Sequence, residues 1–166
     1  MKTKLSKEEF LLGSKISDLD TKMDVEYAYQ KYHNIENIKD YLRENQNVDI
    51  VLLDLERVGG KAFCSFLIPI MDYIKDQSQY WNQKFENFDN KDIDDSALSA
   101  FEILPSMIEL RLNKFGSKLL CKKSLYEFVS WAIENMGNFN VDDIVDFEKI
   151  RGYYNRLANE LRHLQE

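Results

Sequence analysis

The sequence predicts an all-α fold, a single-domain helical bundle of about five to seven helices. Three observations predict it. Proline and glycine are scarce, two and six in 166 residues, so long stretches run without a helix breaker. Apolar residues recur at intervals of three and four through most of the chain rather than alternating. Two Ser-x-x-Glu sequences, beginning at Ser6 and Ser124, have the form of capping boxes. Hydrophobic residues make up 44% and aromatics 13%, enough for a packed core, which excludes a disordered chain. The length suits one domain, 1–166, that needs neither metal nor disulfide to fold.

In chain order, Ser6-Lys7-Glu8-Glu9 starts a helix near Lys7, and Phe10, Leu11, Leu12, Ile16, Leu19 and Met23 continue at helical spacing. Tyr27, Tyr29 and Tyr32 follow, and the pattern leaves open whether this is one long helix or two. His33 and Asn34 mark a junction, and Ile35, Ile38, Tyr41 and Leu42 form the next apolar stripe. No acid or base partner is set around His33, so it reads as a junction histidine. Val48 to Val58 is rich in β-branched residues, but Val51, Leu52, Leu55 and Val58 share a helical face, so helix is expected there, broken at Gly59-Gly60.

Phe63, Phe66, Leu67, Ile70, Met71 and Ile74 mark the central core helix, with a bend expected at Pro69. The aromatics Tyr80, Trp81, Phe85 and Phe88 lack interleaved basic residues and read as core rather than a base-stacking surface. Asn87 to Asp95 superficially resembles a calcium loop. It lacks the glycine and the closing glutamate such a loop requires, so it is expected to be a loop ending in a helix cap. Ala97, Leu98, Phe101, Ile103, Leu104, Met107, Ile108 and Leu112 form a further helix, bent or interrupted at Pro105.

Leu112 to Lys123 reads as a basic loop carrying Lys114, Lys118, Lys122 and Lys123 after Arg111, a secondary candidate for backbone phosphate contacts. Ser124 to Glu127 then starts a helix that buries Phe128, Val129, Trp131, Ala132 and Ile133 and closes at Gly137 in a left-handed cap. The last helix is expected from about Asn140, with Ile144, Phe147, Ile150, Tyr154, Leu157 and Leu161 as its apolar seam. Arg156, Asn159 and His163 fall off that seam.

The net charge of −7 argues against a general polyanion binder. Its distribution matters more. Residues 1–105 hold 13 Lys/Arg against 20 Asp/Glu, whereas the C-terminal third, 106–166, holds nine of each, so any nucleic-acid contact belongs there. Cys64 and Cys121 are too few and too isolated for a metal site or a secreted disulfide framework, and are expected to be buried free thiols. Met1-Lys2-Thr3-Lys4 is not followed by an apolar core, so no signal peptide is expected, and Phe66 to Met71 is too short to span a bilayer. A cytoplasmic protein without membrane contact is the expectation. No Walker-type loop, dinucleotide glycine fingerprint, nucleophile elbow or paired-His motif is present, so no metal and no cofactor is implied.

The order L-N-K-F-G-S-K-L-L, a helix with Trp131, then L-A-N-E-L-R-H at 157–163 resembles HEPN domains, helical bundles of toxin–antitoxin, abortive-infection and CRISPR-associated systems. Many of these end in an R-x(4–6)-H motif with Asn after the Arg. Asn159 and His163 match; Ala158 stands where the motif arginine belongs. Arg156 supplies the guanidinium through a longer spacing, or the site is degenerate, or Ala158 is an introduced change that disarms a nuclease. The resemblance implies metal-independent endoribonuclease chemistry. His163 would move a proton as the ribose 2′-hydroxyl attacks phosphorus, Arg156 would stabilise the phosphorane, and Asn159 would orient the phosphate. Arg162, Lys114, Lys118 and Lys122 would hold RNA. It also implies a homodimer with a composite cleft and a role in phage defence. The rival expectation is an acidic antitoxin, immunity or anti-defence protein whose face of Asp18, Asp20, Asp24 and Glu26, continuing through Asp92, Asp94 and Asp95, covers a basic partner.

Overall fold

The computed structural model describes residues 5–11, 19–81, 94–139 and 147–164. Among these residues there is no strand. The described residues form eight α-helices, the all-α bundle expected, with α1 (Lys7–Leu11), α2 (Leu19–Tyr32), α3 (Ile38–Asn45), α4 (Val48–Asp54), α5 (Gly60–Ser78), α6 (Asp95–Phe115), α7 (Lys122–Asn135) and α8 (Phe147–His163). Local stops set the helix ends. Asn37 caps α3 by accepting from the Lys39 and Asp40 amides, and Gln46 ends it in a left-handed conformation.

The first capping box is formed. The Glu9 amide donates to Ser6 Oγ at 3.3 Å and the Ser6 amide donates to Glu9 Oε2 at 2.9 Å. The second is not: α7 begins at Lys122 after Cys121, two residues before Ser124, so Ser124 already lies inside the helix. Gly137 is not a left-handed cap either, because it sits in a 3-10 turn, Met136–Asn138, that continues the end of α7. The stop after α6 is Gly116, whose φ of +51° with ψ of −129° lies outside the left-handed region that Gln46 occupies and suits a residue without a β-carbon. Because α6 runs on to Phe115, the basic stretch from Leu112 is half helix rather than loop.

α5 and α6 form the centre. α5 packs on α1, α3, α6 and α7, and α6 packs on α4, α5 and α8. Both helices continue through their prolines, Pro69 and Pro105, so the interruption allowed for at Pro105 does not occur. Phe63, Phe66, Leu67, Ile70, Met71 and Ile74 are all buried, as the periodicity of a central helix requires. Val51, Leu52, Leu55 and Val58 are fully buried together on one side of α4 and the turn after it. Trp81 packs edge-on against Phe101 and Phe139, a core contact. Tyr154 stacks on Phe101 at 4.8 Å and its hydroxyl donates to Phe101 O at 2.7 Å, which pins α8 to α6.

Asp94 is the cap expected at the end of the acidic loop, but it is buried rather than part of an acidic face. It accepts from the Ser96 amide at 2.9 Å and from the Tyr73 hydroxyl at 2.9 Å, while its own amide donates to Gln77 Oε1. The buried carboxylate is thereby satisfied from α5 and α6. Cys64 and Cys121 are not free thiols. They form a disulfide, with Cα atoms 5.5 Å apart, that joins α5 to the start of α7. Their sequence spacing carried no sign of pairing, because the contact is made by two helices meeting. No described helix is long and apolar enough to cross a membrane. Phe85, Phe88, Asn87 to Asp92, Asp18 and the stretch from Asn140 to Ile144 lie outside the described residues.

Candidate functional site

α8 is amphipathic, and its buried seam is Ile150, Tyr154, Leu157, Ala158 and Leu161. A helix turns about 100° per residue, so Arg156, Asn159 and His163, at intervals of three and four, lie within an arc of about 60° on the side opposite that seam. All three are exposed. The Arg156 guanidinium lies over the Tyr153 ring at 4.5 Å, a stacking that holds a long side chain along the helix. Position 158 is different. Ala158 is 8% exposed and belongs to the seam, so an arginine there would start from the packed side of α8 rather than beside His163.

The remaining basic candidates gather at one end of the bundle. α6 ends there, α7 begins there, and α8 ends there. Lys122 Nζ donates to Leu164 O at 3.1 Å, tying the start of α7 to the carbonyl end of α8. Positive charge at that end is favoured by the exposed carbonyls of a helix C-terminus whether or not a ligand binds. Arg162 is exposed on the flank of α8, and Lys118 is exposed in the 3-10 turn after α6. Lys114 lies over the Phe115 ring at 5.5 Å, and burial and then the Arg111 charge push its ammonium pKa down.

Arg111 is the cation that sequence reading placed in the basic stretch and the fold places in the core. It is 1% exposed, donates from Nη1 to Val58 O at 2.7 Å and from Nη2 to Leu55 O at 2.5 Å, and lies 4.6 Å from the Phe63 ring centroid. Burial pushes its pKa down to about 10. A signal was present: Leu104, Met107 and Ile108 predict that the next buried position of α6 is 111. His33 is a junction residue, its ring nitrogen 2.8 Å from Tyr29 O and its ring stacked on Tyr29 at 4.5 Å.

Two grooves among the described residues lie away from α8, one between α2 and α4 and one lined by α3, α5 and the Cys64–Cys121 disulfide. Arg156, Asn159 and His163 line neither of these two grooves. No group of three or more His, Cys, Asp or Glu among the described residues is placed to hold a metal ion. Of the expected acidic face, Asp24 pairs with Arg57 at 2.9 Å and Glu26 with Lys7 at 2.5 Å, while the side chains of Asp18, Asp20 and Asp92 lie outside the described residues. Comparison of the chain with family models, with curated proteins and with solved structures gave no match.

Proposed function

We propose that this protein is a HEPN-like RNA-binding domain acting as a metal-independent endoribonuclease, with Arg156, Asn159 and His163 as the reacting face and a second copy completing the cleft. The single observation that supports this is the shared exposed arc of those three residues on α8. A guanidinium can neutralise the charge that develops on a phosphorane, and an imidazole seven residues away on the same face can take or return a proton. Arg156 takes the arginine role in this reading because position 158 belongs to the packed seam. The three side chains are exposed in the single chain, and the reading takes a homodimer to enclose them: two antiparallel α8 faces would supply two Arg and two His to one cleft. Lys118, Lys122 and Arg162 then contact the RNA backbone at its mouth. A role in phage defence or a toxin–antitoxin pair is part of the same reading.

The test is cleavage of single-stranded RNA in EDTA by the protein and its His163→Ala and Arg156→Ala variants. Both side chains are exposed, so the variants are expected to keep the parent's unfolding midpoint while losing cleavage by about a hundredfold or more. Undiminished cleavage by either variant, or none by the parent at concentrations where it is dimeric, refutes the proposal.

A further inference from the structure

The Cys64–Cys121 bond joins two helices without being sealed between them. Both cysteines, 5% and 4% exposed, line a groove of about 610 Å³ between α3, α5 and the start of α7, and Ile38, Ile68, Pro69 and Leu120 supply its apolar walls. That volume falls in the range of about 300–1,000 Å³ that takes in a small molecule. The helices have other holds besides the bond. α5 packs on α1, α3 and α6, and α7 packs on α8, with Phe128 against Tyr154 and with Leu125, Val129 and Ala132 buried. Further along, Lys75 of α5 lies over the Phe128 and Trp131 rings of α7 at 5.7 and 5.6 Å. What the disulfide adds is local to the start of α7. Cys121 immediately precedes the helix, its carbonyl accepts from the Leu125 amide at 2.9 Å, and Leu120 beside it is 75% exposed. Lys122 Nζ donates to Leu164 O, so whatever fixes Cys121 also steadies the end of α8 just past His163.

We propose that Cys64–Cys121 is a reversible redox switch worked by a small-molecule thiol that enters this groove. Cysteines so little exposed are within reach of a small thiol and out of reach of the convex surface of a second protein. The incoming thiolate attacks one sulfur, a mixed disulfide forms, and the other cysteine leaves as a thiolate. A second thiolate attacks the mixed disulfide, releasing the small compound's own disulfide and the second cysteine. Two electrons pass to the protein, the two thiols supply the two protons that the cysteines take up, and the oxidised compound reverses both steps. Once reduced, the pair no longer holds Cys121 at bonding distance from Cys64. The first turn of α7 then loosens from α5 and, through Lys122, so does the last turn of α8, while the α5–α6 centre stays folded. This thiol chemistry does not depend on the RNA reading of α8.

The probe is reduced glutathione added to the native protein at neutral pH, with thiols trapped by iodoacetamide and counted by mass spectrometry. The expected rate of reduction is proportional to thiol concentration and unchanged by urea well below the unfolding transition. A rate that climbs steeply with urea would mean that the sulfurs are reached only by global unfolding, and would overturn the proposal. Varying the ratio of reduced to oxidised glutathione should carry the pair from fully oxidised to fully reduced; a pair still oxidised in the most reducing buffer is a permanent staple and overturns it too. In reduced protein, hydrogen exchange at Leu125 to Glu127 is expected to be at least about tenfold faster and insensitive to low urea, the signature of local opening, while α5 amides still exchange through urea-sensitive global unfolding. The double variant Cys64→Ser, Cys121→Ser should show the same pattern without thiol, with circular dichroism confirming its helix content. If the α7 amides of reduced protein exchange only together with those of α5, the bond switches nothing and the proposal fails.

Discussion

Replacing Arg111 with methionine isolates what its guanidinium contributes, because methionine keeps much of the apolar stem and removes both donors. In the native fold the two N–H groups bind Val58 O and Leu55 O, carbonyls at the end of α4 and in the turn beyond it, on residues that are fully buried. Hydrogen bonds from a charged donor are worth about 1.5–3 kcal/mol each, so their loss costs about 3–6 kcal/mol. Against this stands the burial of the charge. The displacement of the pKa from 12.5 to about 10 corresponds to roughly 3 kcal/mol, which methionine releases. The difference is about 0–3 kcal/mol, and the Leu55 and Val58 carbonyls left without donors in the core keep it on the destabilising side, with the end of α4 loosened first. Urea unfolding followed by circular dichroism reads it as a lower midpoint at unchanged slope. Hydrogen exchange would show the amides of residues 55–58 less protected than those of α5. An unchanged or higher midpoint would refute the reasoning, since it would mean that desolvation of the guanidinium outweighs both bonds.

Two further outcomes follow from the interior. The Cys64–Cys121 bond closes a loop with a sequence separation of 57, and restricting the unfolded chain to that extent is worth about 4 kcal/mol; reducing it with a phosphine should lower the urea midpoint accordingly. Two titratable thiols in protein equilibrated with oxidised glutathione and then denatured would contradict the pairing. The phenols of Tyr32, Tyr73 and Tyr154 are held above the usual value of 10, by burial first and, for Tyr32 and Tyr73, by hydrogen bonds to Asp54 and Asp94. The unfolded chain releases those protons near pH 10 while the folded chain keeps them, so their contribution is complete below pH 10 and falls as pH rises beyond it. Arg111 and Lys114, whose folded pKa values are lowered, act in the opposite direction, two groups against the three phenols and Lys31, whose ammonium pKa is raised. Phenolate absorbance should therefore show at least three of the nine tyrosines titrating only on alkaline unfolding, and all nine titrating near pH 10 in folded protein would sink this account.

Much of the candidate site was legible along the chain because a helix repeats within four residues. The intervals from Arg156 to Asn159 to His163 place the three on one face, and the seam through Ile150, Tyr154, Leu157 and Leu161 tells which face is hidden. The capping box at Ser6 was readable for the same reason, as an interaction closed within one turn, whereas α4 ends at Asp54, short of the expected break at Gly59-Gly60, and Gly59 is the N-cap of α5. The second box at Ser124 failed because the chain entered α7 two residues earlier, held by the disulfide at Cys121, and a helix already begun has no free end for Ser124 to cap. Sequence by itself thus determined the all-α class, the central helix through Phe63 and Ile74, and the exposed arc of α8. Only the tertiary structure decided that Cys64 meets Cys121 and that Arg111 and Asp94 are buried with partners. Those outcomes depend on which helix lies against which, through contacts between residues tens of positions apart, and local periodicity shows that a helix has a buried face without showing what lies against it.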